Sequence, residues 1–159
     1  MPTLTFHLDK RTPTRRYCIG SVASFSSIPD ALSSLSPHFV LFLAADAASI
    51  SDEAVRRVAR LALDRGMAYL CVWGNDCSRV HDLFDLERDP NEPEGKEVTT
   101  TWHDGEPLSE ALWFFRNNAY PDDDFEANCH DWVALSVANS EWLKEITSEL
   151  TIKNEGWPP

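Results

Sequence analysis

The chain has 159 residues, 43% hydrophobic and 11% aromatic with only 6 Gly, which is enough apolar mass for one folded domain and too much for a disordered chain. Its net charge of −12 excludes a binder of phosphate backbones, because nucleic-acid recognition draws on clustered Lys and Arg. The charge is segregated: residues 82–131 hold fifteen Asp or Glu against Arg88, Lys96 and Arg116, while the 81 residues before them balance at +2 and the 28 after them at −2.

From the N-terminus, Lys10, Arg11, Arg15 and Arg16 come without the apolar stretch of a secretory signal. Residues 1–16 therefore read as a basic arm, free to be flexible, ahead of the strand and helix pattern of one α/β domain spanning 1–159. Residues 17–22 suit an edge strand. Ser27 and Asp30 have capping-box spacing, with Asp in place of Glu, and predict a short helix to residue 35. Residues 39–45 are continuously apolar, as in a strand covered on both faces, and the run is far too short to cross a bilayer.

A helix over 51–65 follows, with Val55, Val58, Ala59 and Ala62 at helical spacing and Gly66 closing it. Residues 68–73 form a second buried strand, and 77–86 a helix with Val80, Leu83 and Phe84 inward. The Pro- and Gly-containing acidic stretch 86–97 is a loop, and the Thr-rich 98–102 a weaker third strand. Pro107 suits the first turn of a helix running to 118 that buries Leu108, Ala111, Leu112 and Phe115. A second acidic loop, 119–131, leads to a fourth strand at 132–138 and a last helix at 140–150. Strands alternating with helices at this spacing imply right-handed crossovers. The fold expected is α/β: a three-layer helix–sheet–helix sandwich with a mainly parallel sheet of four or five strands, of the doubly wound Rossmann or flavodoxin kind.

In such sheets sites form beyond the carboxyl ends of the strands. Those positions hold Asp46, the Gly74-Asn75-Asp76-Cys77 turn, His103-Asp104 and Asn139-Ser140. Asp46, Asp76, Cys77, His103 and Asp104 would serve a small enzyme or ligand-binding protein, a hydrolase or transferase with thiol or metal dependence. In that scheme His103 is the acid or base, oriented by a carboxylate, and Cys77 a thiol activated by its helix N-terminus. The competing account is that Asp76, Asp104 and Asn139 cap the helices that follow.

No phosphate-binding Gly loop and no nucleophile elbow is present, and no cofactor is expected. Zinc on Cys77, His81, Cys129 and His130 lacks the paired short ligand spacings, so no metal site is assigned. Four cysteines in a chain of this length read as reduced, and the protein as cytoplasmic.

The acidic third carries rings as well as carboxylates. One helix stripe cannot bury Trp113, Phe114 and Phe115 together, so Trp113 and Trp102 are expected beside Asp122, Asp123, Asp124 and Glu126 on a surface that meets a basic partner. The composition is like that of small acidic proteins that neutralise basic nucleases or toxins. The function expected is a non-catalytic acidic protein-binding module of immunity, antitoxin or inhibitor type, with a basic protein partner, no nucleic acid and no membrane. A homodimer built through an edge strand or a helix is the other association left open.

Overall fold

The computed structural model describes residues 2–152; Met1 and residues 153–159 of the domain read over 1–159 lie outside the described residues. Six strands, β1 (Thr5–Leu8), β2 (Arg16–Val22), β3 (His38–Ala44), β4 (Met67–Trp73), β5 (Thr99–His103) and β6 (Cys129–Val137), make one sheet in the order β1-β2-β6-β3-β4-β5. β1 is antiparallel to β2 and every other pairing is parallel. The helices are α1 (Asp52–Asp64), α2 (Cys77–Glu87), α3 (Leu108–Asn117) and α4 (Ser140–Thr147). α1 packs with the 3-10 segment Phe25–Leu32 and with α2, and α3 with α4 and the wide turn Ser148–Ile152, which gives a layer on each face of the sheet. This is the three-layer α/β fold, with one antiparallel edge strand.

Burial explains the order. β3 is sealed from Phe39 to Ala44, as the inner strand of a sheet covered on both sides must be. β5, whose residues are Thr, Thr, Thr, Trp and His, is half-exposed and ends the sheet. Ser51 caps α1 by accepting from the Ala54 N–H at 3.2 Å, with Asp52 and Glu53 in the first turn where the helix dipole favours them. Gly74, at φ +119°, leaves β4 so close to Ala45 that a Cβ would run into the Ala45 carbonyl, and only glycine meets both conditions.

Three expectations are corrected. The sheet has six strands, not four or five. The segment read as an arm, 1–16, carries β1, which makes β2 an inner strand flanked by β6. The basic residues there are anchored, not free: Asp9 accepts from the Arg11 N–H (2.9 Å) and the Tyr17 hydroxyl (2.9 Å) and lies 3.7 Å from Arg15, while Arg16 bonds Asp131. β1 does carry a strand's period of two in the sequence, Leu4, Phe6 and Leu8 alternating with Thr3, Thr5 and His7, a signal the basic residues after it overshadowed. Finally, the acidic stretch 119–131 is not all loop, since Asp123–Asn128 is a 3-10 turn and β6 starts at Cys129.

Candidate functional site

Because β2 to β6 run parallel, Asp46, Asp76, Cys77, His103 and Asp104 do share one edge of the sheet, with Ala44 beside Trp73 and Trp73 beside His103. Asp46, Asp76 and His103 each have partners of their own. Asp46 folds back to accept from the Ala48 N–H at 3.1 Å. Asp76 holds the N-cap position of α2 in the left-handed region, yet its carboxylate caps nothing and instead binds Arg79 Nε at 2.7 Å. Asn139 does cap α4, accepting from the Trp142 N–H at 3.0 Å, whereas Pro107, not Asp104, starts α3.

His103 Nδ1 bonds Glu106 Oε1 at 2.6 Å, so Glu106 is the carboxylate that orients the ring, and Nε2 bonds Thr101 Oγ1 at 3.0 Å and not the Cys77 thiol. The Cys77 thiol is buried, and burial pushes its pKa up; Asp104 adds to the rise and neighbouring backbone N–H groups offset part of it. The helix N-terminus therefore does not yield the activated thiolate expected from the sequence. Cys77 lies after β4 and Cys129 opens β6, at opposite ends of the sheet, so they cannot share an ion. Among the described residues no three His, Cys, Asp or Glu converge as metal ligands, Asp46, Asp76 and Asp104 included.

Burial lowers the pKa of His103 below 6.5, and the hydrogen bond and charge of Glu106 only partly offset it. Neutral imidazole is thus the favoured form, and the stability it contributes is present above pH 6.5 and lost as pH falls through the lowered folded value. An NMR titration should place the His103 midpoint below 6.5, and Glu106→Gln should move it lower still. A midpoint above 6.5 would show that Glu106 outweighs burial.

The acidic third is more organised. The Asp124 N–H donates to the Gly95 carbonyl (2.9 Å) and the Glu97 N–H to Asp122 Oδ2 (3.0 Å), which joins the two acidic stretches into one ledge before β5 and β6. Asp122, Asp123, Asp124 and Glu126 all lie on this ledge. Trp102 is 50% exposed and Trp113 47%, while Phe115 is sealed.

The two tryptophans flank β5 from opposite layers. The Trp102 ring meets His81 of α2 in a tilted contact at 4.5 Å, and on the same face Thr100 Oγ1 donates to Asp85 at 2.6 Å. Trp113, on α3, shares a groove of about 320 Å3 with His103, Glu106, Glu110 and Phe114. That groove adjoins one of about 510 Å3 along Thr100 to Asp104. No further strand lies beyond β5 among the described residues.

Over residues 17–153 the chain matches a family described as a domain of unknown function, DUF7684. The chain belongs to that family. None of the curated proteins matches it. The matched span of the DUF7684 chain takes in β2 to β6 and all four helices, with Trp102, Trp113 and both acidic stretches, and starts after β1 and Arg15. The expected setting of the rings is corrected: Trp102 and Trp113 are exposed on opposite layers, and their carboxylate neighbours are Asp82 and Asp85, and Glu106 and Glu110, in place of Asp122, Asp123, Asp124 and Glu126. The available signal was spacing: Glu106 and Glu110 stand four apart at the start of α3, and Asp82 and Asp85 three apart on α2.

Proposed function

We propose that the protein is a non-catalytic, cytoplasmic binding module of immunity, antitoxin or inhibitor type that takes a basic segment of a partner protein along the open edge of β5. One observation carries this reading: a half-exposed edge strand with an exposed tryptophan and a pair of carboxylates on each face. A strand added to β5 would gain main-chain hydrogen bonds and send alternate side chains to the two faces. One set would meet Trp102 with Asp82 and Asp85, the other Trp113 with Glu106 and Glu110. The ledge at Asp122, Asp123, Asp124 and Glu126 extends the same negative field and steers the approach.

The acidity favours a basic partner over a second copy, since two such edges would bring like charges together. Cytoplasmic placement is supported by four free, buried thiols. Separately, no helix among the described residues is long and apolar enough to cross a membrane.

The test uses a synthetic peptide of alternating Arg and Val against isotope-labelled protein. Binding should slow amide exchange in β5, move the Trp102 and Trp113 indole resonances, and weaken sharply as salt rises through the range where surface charges are screened. Trp102→Ala and Trp113→Ala should each reduce affinity about tenfold or more, as exposed aromatic anchors do. A peptide of alternating Glu and Val should not bind. Association that leaves β5 amides unprotected, or that ignores ionic strength, would refute the reading.

A further inference from the structure

A second site lies at the other end of the sheet, between the turn joining β1 to β2 and the segment leading from α3 into β6. There a pocket of about 400 Å3 is lined by Arg15 and Trp132, which are 6% and 5% exposed. The guanidinium carbon of Arg15 stands 4.0 Å over the Trp132 ring and 6.0 Å from the Tyr120 ring. One branch of the guanidinium is committed, since Nη1 donates to the Arg116 carbonyl at 2.7 Å and lies 3.7 Å from Asp9. The other polar atoms of the pair are not: Arg15 Nε and Trp132 Nε1 are both buried and have no acceptor among the described residues. Leaving a buried donor unsatisfied costs stability. Two such donors beside one pocket are what a site for an acceptor-bearing ligand provides.

The rest of the lining narrows the ligand. Asp123 and Glu126 bring carboxylates to the same pocket, and Thr14 a hydroxyl. A simple anion would meet those carboxylates and a strongly negative chain, and a simple cation would meet Arg15. A molecule with both charges satisfies both ends. We propose that this pocket binds a small zwitterion of the size of a free amino acid. Its carboxylate accepts from Arg15 Nε and Trp132 Nε1, and its ammonium lies against Asp123 and Glu126. The Tyr120 ring, 63% exposed, is the part of the wall that turns to admit it.

The site is one of binding and not of thiol chemistry. Burial, then the nearby Asp131 charge, pushes the Cys129 thiol in the pocket wall up to about 12, so it stays protonated at neutral pH. The inference does not rest on the β5 edge, although Asp123 and Glu126 belong both to this pocket and to the acidic ledge.

The twenty free amino acids, added singly to the full chain, are the probes, and the assigned Trp132 indole N–H resonance and the Tm are the readouts. At least one amino acid should move that resonance saturably with a Kd of about 1 mM or tighter, and raise the Tm. Arg15→Met should abolish the effect. Because Arg15 is buried, Glu126→Gln and Tyr120→Ala at the rim serve as second variants, and each should weaken binding several-fold while the fold persists. The N-acetylated form of the active amino acid should fail to bind. The proposal is overturned if no amino acid moves the Trp132 resonance at concentrations up to about 10 mM, well above the affinity expected, or if the acetylated form binds as well as the free one.

Discussion

Replacing Phe42 with alanine should lower the stability of the protein by about 3–5 kcal/mol, the range for a large aromatic removed from a core that cannot collapse. Phe42 lies on β3, between β6 and β4, and is completely buried. Its ring meets Phe115 of α3 at 5.4 Å, and Phe115 in turn lies 6.4 Å from Tyr17 on β2, so the three rings tie one helix layer to two strands. The strands on both sides of β3 are fixed by their own ladders and cannot close the gap. Urea unfolding should show a reduced midpoint with an unchanged slope. Leu86→Ala, on an exposed side chain of α2, should stay within about 0.5 kcal/mol of the parent. A loss below about 1 kcal/mol for Phe42→Ala would mean the layer between the sheet and α3 repacks freely, contrary to the density expected of a protein interior.

The inner part of the fold was legible because burial on both faces writes continuous apolar runs. Residues 39–45 and 68–73 announced β3 and β4, and the spacing of Val55, Val58, Ala59 and Ala62 announced α1. The edges were harder, because an edge strand need not be apolar. β1 shows only a short alternation of Phe6 and Leu8 with Thr5 and His7, and Thr-rich β5 was the weakest of the strands read from the sequence. Trp113 was correctly separated from Phe115, since helical geometry alone forbids burying three consecutive aromatics on one stripe.

What the sequence could not show is which polar groups are already spoken for. His103 looked like an available acid or base, and only coordinates reveal Glu106 and Thr101 on its two nitrogens. Arg15 looked like part of a solvated basic arm, yet it is buried over Trp132, a residue 117 positions away. The His103 bonds are local in sequence, whereas the Arg15 contact spans most of the chain. The Arg15 contact is set by β2 pairing with β6 at one end of the sheet, and no local pattern encodes it.

The pairing of Arg16 with Asp131 is expected to dominate the acid end of the stability profile, and removing it should reverse a sign. Arg16 Nε and Nη2 donate to the two carboxylate oxygens of Asp131 at 2.8 and 3.0 Å, and the Ser36 N–H adds a third bond at 2.8 Å. These contacts stitch the starting ends of β2, β6 and β3 together, and Arg16 also covers the Phe6 ring of β1 at 4.2 Å. Burial is the largest single influence on Asp131 and pushes its pKa up, but the Arg16 and Ser36 hydrogen bonds and the Arg16 charge together outweigh it and hold it below 3.8.

A carboxyl lowered in this way contributes stability that is present above its unfolded pKa and lost as pH falls through the folded value. Arg16→Ala leaves burial in control, so the Asp131 pKa rises, and its contribution is then fullest at low pH and lost as pH increases. The variant should be less stable than the parent by about 3 kcal/mol at pH 7, the lower end for breaking a buried pair because Arg16 is itself partly exposed. That deficit should shrink steadily toward pH 3. Asp131→Asn keeps an acceptor for Ser36 and should show a smaller deficit, with no inflection from this position. A gap between parent and Arg16→Ala that stays constant from pH 7 to pH 3 would assign the loss to the Phe6 contact instead of the ion pair.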